Sequence, residues 1–122
     1  MLFDTSAWVE FFDGTEKGEK ARSTLSSNTC YTSIISIAEL SCICIEKNFN
    51  PVEILSQIKS FSSIIDVDED ILLLSGKIRH EKRKSLKNFG LVDAIILSTA
   101  KHLGLKVVSC DRHFEGENAI IL

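Results

Sequence analysis

Gly90 to Phe114 reads GLVDAIILSTAKHLGLKVVSCDRHF, and this stretch decides the fold. Asp93 stands just ahead of an apolar run, Ala94, Ile95, Ile96, Leu97, Ala100 and Leu103. Its three- and four-residue spacing predicts an amphipathic helix with one buried face. Gly104 follows the last periodic residue, where a left-handed cap forms most easily without a Cβ. Lys106-Val107-Val108-Ser109 then reads as a short buried strand that ends at Cys110-Asp111. In a right-handed crossover the helix runs antiparallel to its flanking strands. The start of the helix and the end of the next strand therefore share one edge of the sheet. The stretch brings Asp93 and Asp111 to that edge.

The same alternation extends through the rest of the chain. Met1-Leu2-Phe3 reads as a strand that stops at Asp4, followed by a short helix carrying Ala7, Trp8, Val9, Phe11 and Phe12. Gly14 to Gly18 reads as a polar loop, and Glu16 to Leu25 as a surface helix with a thin apolar stripe. Cys30-Tyr31-Thr32 is a second strand leading into a helix from Ser33 to Ile45. That helix is apolar nearly all round, which marks it as central or as part of a subunit interface, and a homodimer is expected from it. Asn50-Pro51 opens a further helix, with Asn as cap and Pro at the first helical position. Ile64 to Val67 is a third strand, and Asp68 caps a long helix with a core face of Ile71, Leu72, Leu74, Ser75 and Ile78. Ala119 to Leu122 supplies the last edge strand. Strands alternating with helices predict a parallel sheet covered on both faces, an α/β fold occupying residues 1–122 as one domain.

A chain of 122 residues can bury roughly two thirds of its unfolded surface. No run of about 18 uncharged apolar residues is present, and the amino terminus lacks a basic region followed by a cleavage site, so no membrane association and a cytoplasmic location are expected. Four cysteines form no CxxC pair and fit reduced thiols better than a disulfide framework or a zinc site. Net charge is −3, so any nucleic-acid role must rest on local patches.

Four carboxylates fall at equivalent places. Asp4 ends the first strand, Glu39 lies early in the helix after the second, Asp93 opens a helix, and Asp111 ends the fourth strand. In an open doubly wound sheet, ligands bind at the carboxyl ends of strands near the reversal of strand order. Asp4, Asp93 and Asp111 could each serve as a helix cap or an Asx turn, and Ser36-x-x-Glu39 matches a capping box. Taken together they need more. Two carboxylates about 4 Å apart repel by roughly 4 kcal/mol at an effective dielectric near 20. Four of them with no matching Lys or Arg call either for retained protons or for a divalent cation. An oxygen-only set suits Mg²⁺ or Mn²⁺ rather than zinc.

Phe3-Asp4-Thr5-Ser6, Ile37-Ala38-Glu39-Leu40, Leu91-Val92-Asp93-Ala94 and Ser109-Cys110-Asp111-Arg112-His113-Phe114 together resemble the motif blocks of PIN-domain ribonucleases. The resemblance is closest to the small single-domain toxins of VapC type, and it runs in order along essentially the whole chain. It implies a doubly wound parallel sheet of five strands. It also implies one or two Mg²⁺ or Mn²⁺ ions held by Asp4, Glu39, Asp93 and Asp111, and hydrolysis of RNA phosphodiesters. A homodimer and a small antitoxin partner follow from the same likeness. Two positions depart from the family pattern: Asn88-Phe89-Gly90 stands where a Pro often precedes the third acid, and His113 where a further Asp often follows the fourth.

Thr5, Ser6 and Ser109 lie beside the acids and could orient ligands or bind a phosphate oxygen. The basic stretch Lys77 to Lys87, with Arg79, Arg83 and Lys84, could hold an RNA backbone, or it could be a solvated face complementing the helix dipole. His80, His102 and His113 show no ligand spacing, and of the three only His113 is a candidate for a role. Trp8 reads as core. Two functions are compatible with these residues: a metal-dependent ribonuclease acting as a toxin, and a PIN-like module that binds RNA or protein without cutting.

Overall fold

Leu2 and Phe3 form β1, the central strand of the computed structural model, which describes residues 1–122. On one side β1 pairs with β2 (Tyr31–Ser33), and β2 with β3 (Ser63–Ile65). On the other side it pairs with β4 (Val107–Ser109), and β4 with β5 (Ala119–Ile121). Every pairing is parallel, in the order β3-β2-β1-β4-β5. The chain winds outward from β1 in one direction, returns, and winds outward in the other. The doubly wound five-stranded sheet expected from the sequence is present, and its strand order reverses between β1 and β4.

Helices make all but the last connection. α1 (Thr5–Asp13) and α2 (Glu16–Ser27) follow β1, α3 (Ile34–Glu46) and α4 (Pro51–Phe61) follow β2, and α5 (Glu69–Lys82) and α6 (Leu91–Leu103) follow β3. A 3-10 turn, Arg112–Phe114, joins β4 to β5. Adjacent residues on a strand point to opposite faces, so the short central strands serve two cores at once. Phe3 and Val108 pack with Trp8, Phe11, Leu25, Leu40 and Ile58 on one face. Leu2 and Val107 pack with Ile78, Phe89, Ile96, Leu97 and Phe114 on the other. Trp8 is fully buried, and its Nε1 donates to Thr32 Oγ1 at 3.0 Å, as a core Trp requires.

Several expectations need correction. β2 begins at Tyr31 and β3 ends at Ile65, a shift of one or two residues from the sequence reading. The loop read from Gly14 to Gly18 is shorter, because α2 starts at Glu16, as expected for that helix. Gly18 lies inside it, and a Cβ there would fall 2.1 Å from the Glu10 carbonyl oxygen, so glycine is what lets α2 close on α1. Leu72, expected in the core face of α5, is 44% exposed, while Ile71, Ser75 and Ile78 are buried. α3 is not central: only Ser36, Leu40 and Cys44 are buried, and Ile34 and Ile45 face solvent. Ser33 rather than Ser36 caps that helix, through a bond from the Ile35 N–H, and the Ser36 hydroxyl is buried without a partner. The capping box therefore does not form, and Glu39 is free to point elsewhere. Gly104 takes the expected left-handed cap at φ 66°, its N–H bonding the Ala100 carbonyl. No helix is long and apolar enough to cross a membrane.

Candidate active site

The strand order reverses between β1 and β4, and four elements bring the four acids toward the sheet edge where those two strands end. Asp4 is the residue after β1 and caps α1. It is 5% exposed, pinned by its N–H bond to the Val108 carbonyl at 2.9 Å. Its Oδ2 accepts from the Ser6 hydroxyl at 2.8 Å and from the Ser109 hydroxyl at 2.9 Å. Those hydroxyls in turn accept the N–H groups of Cys110 and Asp111, each at 2.9 Å. Each hydroxyl thus accepts from one backbone N–H and can donate to Asp4, and the two hydroxyls stand 2.9 Å apart, closing a triangle with the carboxylate. Asp4 Oδ1 takes part in none of these bonds.

The other acids show the same economy. Glu39, on the second turn of α3, accepts the Thr5 hydroxyl at Oε1, 2.6 Å away, which leaves Oε2 free. Asp93 is the third residue of α6, not its cap, and Oδ2 reaches back to the Gly90 N–H at 2.9 Å. Asp111 caps the 3-10 turn, with Oδ1 accepting the His113 N–H at 2.8 Å. The local capping roles foreseen for Asp4 and Asp111 are real. They engage Asp4 Oδ2 and Asp111 Oδ1, leaving Asp4 Oδ1 without a hydrogen bond and Asp111 Oδ2 facing His113.

The charges feel one another. Burial pushes the Asp4 carboxyl above its ordinary value against the lowering effect of its Ser6 and Ser109 donors, and the charge of Asp93 pushes the same way. Burial likewise raises Glu39; its Thr5 bond opposes this, and the charges of Asp4 and Asp93 add to it. No Lys or Arg forms an ion pair with any of the four. Their one basic neighbour is His113, whose Nδ1 lies 3.2 Å from Asp93 Oδ2 and 3.3 Å from Asp111 Oδ2. Spacing rules for metal ligands had no reason to select His113. The signal was its position two residues past Asp111, where a 3-10 turn brings the ring back over the acid.

The basic stretch is less free than its composition implied. Arg83 Nε donates to the Phe89 carbonyl at 3.0 Å, strapping the loop that leads into α6. Lys84 pairs with Glu81 at 2.9 Å on the surface. Lys82 pairs with Glu117, which also holds Lys101, so that carboxylate ties α5 and α6 to the chain ahead of β5. Arg79 is half-buried, with its Nε unpaired. The structure brings together Asp4, Thr5, Ser6, Glu39, Asp93, Ser109 and Asp111. It keeps Arg79, Arg83 and Lys84 on the neighbouring α5 end, outside that hydrogen-bonded set.

The sequence pattern of the PIN domain matches residues 1–116. The chain belongs to the PIN domain family. Comparison with curated proteins gives no sequence match. Among solved structures, this PIN domain is similar to a chain of a toxin–antitoxin complex from Klebsiella pneumoniae, with a TM-score of 0.77 and 24% identity over 98% of this chain and 94% of the other. It is also similar to Mycobacterium tuberculosis VapC20, a sarcin–ricin loop cleaving toxin, with a TM-score of 0.73 and 18% identity over 93% and 91% of the two chains. A third likeness is to VapBC2 from Rickettsia felis bound to promoter DNA, with a TM-score of 0.74 and 20% identity over 99% and 96%. At these identities the likeness establishes a shared fold over nearly the full length of each chain. In this PIN domain the segment Asn88-Phe89-Gly90 leads into α6, with Phe89 fully buried and Gly90 at the helix cap.

Proposed function

We propose that this PIN domain is a metal-dependent ribonuclease, hydrolysing RNA phosphodiesters as the toxin of a toxin–antitoxin pair. One observation carries the reading: four carboxylates gather toward the reversal point without a Lys or Arg partner, close enough that the charges of Asp4 and Asp93 act on their neighbours, and each is oriented by a local hydrogen bond. Such a donor set fits a divalent cation; burial first, and the neighbouring acids second, raise the Asp4 and Glu39 carboxyls, and a cation would offset both costs. Asp4, Glu39, Asp93 and Asp111 would hold Mg²⁺ or Mn²⁺. When bound, the ion supplies Lewis-acid activation of water and polarisation of the phosphate.

The chain's own groups prepare the rest. Ser6 and Ser109 fix Asp4, Thr5 fixes Glu39, and the Gly90 N–H fixes Asp93, so little reorganisation is needed on binding. Lys84 and Arg79 lie on the α5 end as contacts for the RNA backbone, while Arg83 holds the loop beside them. Toxin–antitoxin assemblies among the structural neighbours support a small antitoxin as partner. The apolar outer surface of α3, with Ile34 42% and Ile45 69% exposed, supports a homodimer. The test is cleavage of a single-stranded RNA by the purified chain with Mn²⁺, with Mg²⁺ and with a chelator. Cutting that needs the ion supports the reading, and inertness under all three conditions overturns it.

A further inference from the structure

His113 stands outside the four-acid set, and its imidazole lies between two members of it. Nδ1 is 3.2 Å from Asp93 Oδ2 and 3.3 Å from Asp111 Oδ2. One ligand-capable atom from each of these three side chains lies within 4.8 Å of the other two. The ring is held there from two sides. Its own backbone N–H bonds Asp111 Oδ1 at 2.8 Å, and the fully buried Phe89 ring packs beside it with centroids 5.9 Å apart. Phe114, next in sequence, is itself fully buried and anchors the turn.

These distances have a chemical meaning. Ligands at right angles around a small octahedral cation, with bonds of about 2.1 Å, stand about 3 Å apart. The imidazole nitrogen keeps nearly that separation from both oxygens. A neutral imidazole with its proton on Nε2 presents a lone pair at Nδ1, so the atom facing the two carboxylates is able to bind a cation.

The geometry points to His113 Nδ1 as a direct ligand of the divalent cation, giving the site a nitrogen among its oxygens and a preference for a transition-metal ion such as Mn²⁺ over Mg²⁺. This rests on the reading that a cation is held by the acids. Mg²⁺ is hard, dehydrates reluctantly and is bound through oxygen, whereas imidazole nitrogen favours ions of the transition series. A carboxylate at position 113 would be indifferent to that distinction.

The experiment uses substoichiometric Mn²⁺ on the full chain and reads electron spin-echo envelope modulation. A directly bound imidazole couples ¹⁴N to the Mn²⁺ electron spin, and an all-oxygen shell does not. Wild-type protein is expected to show the nitrogen modulation, and His113→Asp to bind Mn²⁺ without it. Competition titration should show the Mn²⁺-to-Mg²⁺ affinity ratio falling on the order of 10-fold in His113→Asp. The wild-type spectrum decides even if the variant folds poorly. Mn²⁺ bound with no nitrogen coupling would overturn the ligand role, leaving His113 as an orienting hydrogen-bond donor and the nuclease reading intact. Failure to bind Mn²⁺ at all would overturn both.

Discussion

Ser109 Oγ donates to Asp4 Oδ2 across 2.9 Å, joining residues 105 apart in the chain. The same oxygen accepts the Asp111 N–H at 2.9 Å, so one fully buried hydroxyl orients both the first and the fourth acid. Ser109→Ala leaves a buried carboxylate short of a donor and a backbone N–H without an acceptor. The expected loss is about 1–3 kcal/mol of stability, read as a shift in the urea midpoint at unchanged m-value. Ion-dependent cleavage should fall with it, since Asp4 and Asp111 lose their shared support. A midpoint within error of wild type would mean that the triangle of Asp4, Ser6 and Ser109 carries no energy.

Burial and neighbouring charge determine how the ion-free protein responds to pH. Asp4 and Glu39 both have folded carboxyls raised above their ordinary values of 3.8 and 4.5. In the window from those values upward the folded chain keeps protons that the unfolded chain has released, so these two groups make stability fall as pH rises. Asp4→Asn removes the larger burial cost while keeping a residue able to cap α1. In chelator, the melting temperature of Asp4→Asn relative to wild type is therefore expected to climb as pH rises from 4 to 7. Added Mn²⁺ should reverse the order at neutral pH by stabilising wild type alone. A difference that stays flat with pH would contradict the raised carboxyl.

The basic end of α5 divides into a strap and a surface. Arg83→Lys keeps the charge but loses the guanidinium bond to the Phe89 carbonyl, so stability should drop by about 1 kcal/mol while RNA affinity keeps its salt slope. Lys84→Gln removes a charge paired only on the surface, so stability should hold and the slope of log affinity against log salt should shrink by about 0.7 for single-stranded RNA. Melting curves and binding titrations at three salt concentrations separate the two. An unchanged slope in Lys84→Gln would return this segment to ordinary solvated surface.

The layout of the sheet was legible because its signals are local. Short apolar runs, helix periods and the Gly104 cap each depend on a few neighbouring residues, and the crossover rule converts them into a shared edge for Asp93 and Asp111. The four-acid set was legible for the same reason. What escaped depends on three-dimensional proximity. The need for glycine at Gly18, inside a helix that the sequence did show, appears only in the distance to Glu10 O. Leu72 and the outer face of α3 looked buried because hydropathy does not say whether a second surface lies opposite. Ser36 matched a capping box, but the true helix start at Ile34 places Ser33 at the cap. His113 was singled out among the histidines, but without a role, because its contact with Asp93, a residue 20 positions earlier, depends on the 3-10 turn that folds its ring back.

Two substitutions at Asp93 separate its local bond from its proposed role as a ligand. The carboxylate accepts the Gly90 N–H at 2.9 Å, and an Asn oxygen can accept the same bond, whereas Ala cannot. Asp93→Ala should therefore lose roughly 1 kcal/mol of stability. Asp93→Asn should not. Removing the charge also relieves Asp4 and Glu39, both raised in part by Asp93, so the ion-free Asn variant should melt at or above the wild-type temperature. If Asp93 does nothing but support α6, that variant will cut RNA at the wild-type rate. If it is a ligand, cleavage in Mn²⁺ should fall by orders of magnitude, and Mn²⁺ should no longer raise the melting temperature as it does for wild type. The decisive pattern is a protein as stable as wild type, or more so, that neither cuts nor responds to the ion. Undiminished cleavage by Asp93→Asn would remove this residue from the site.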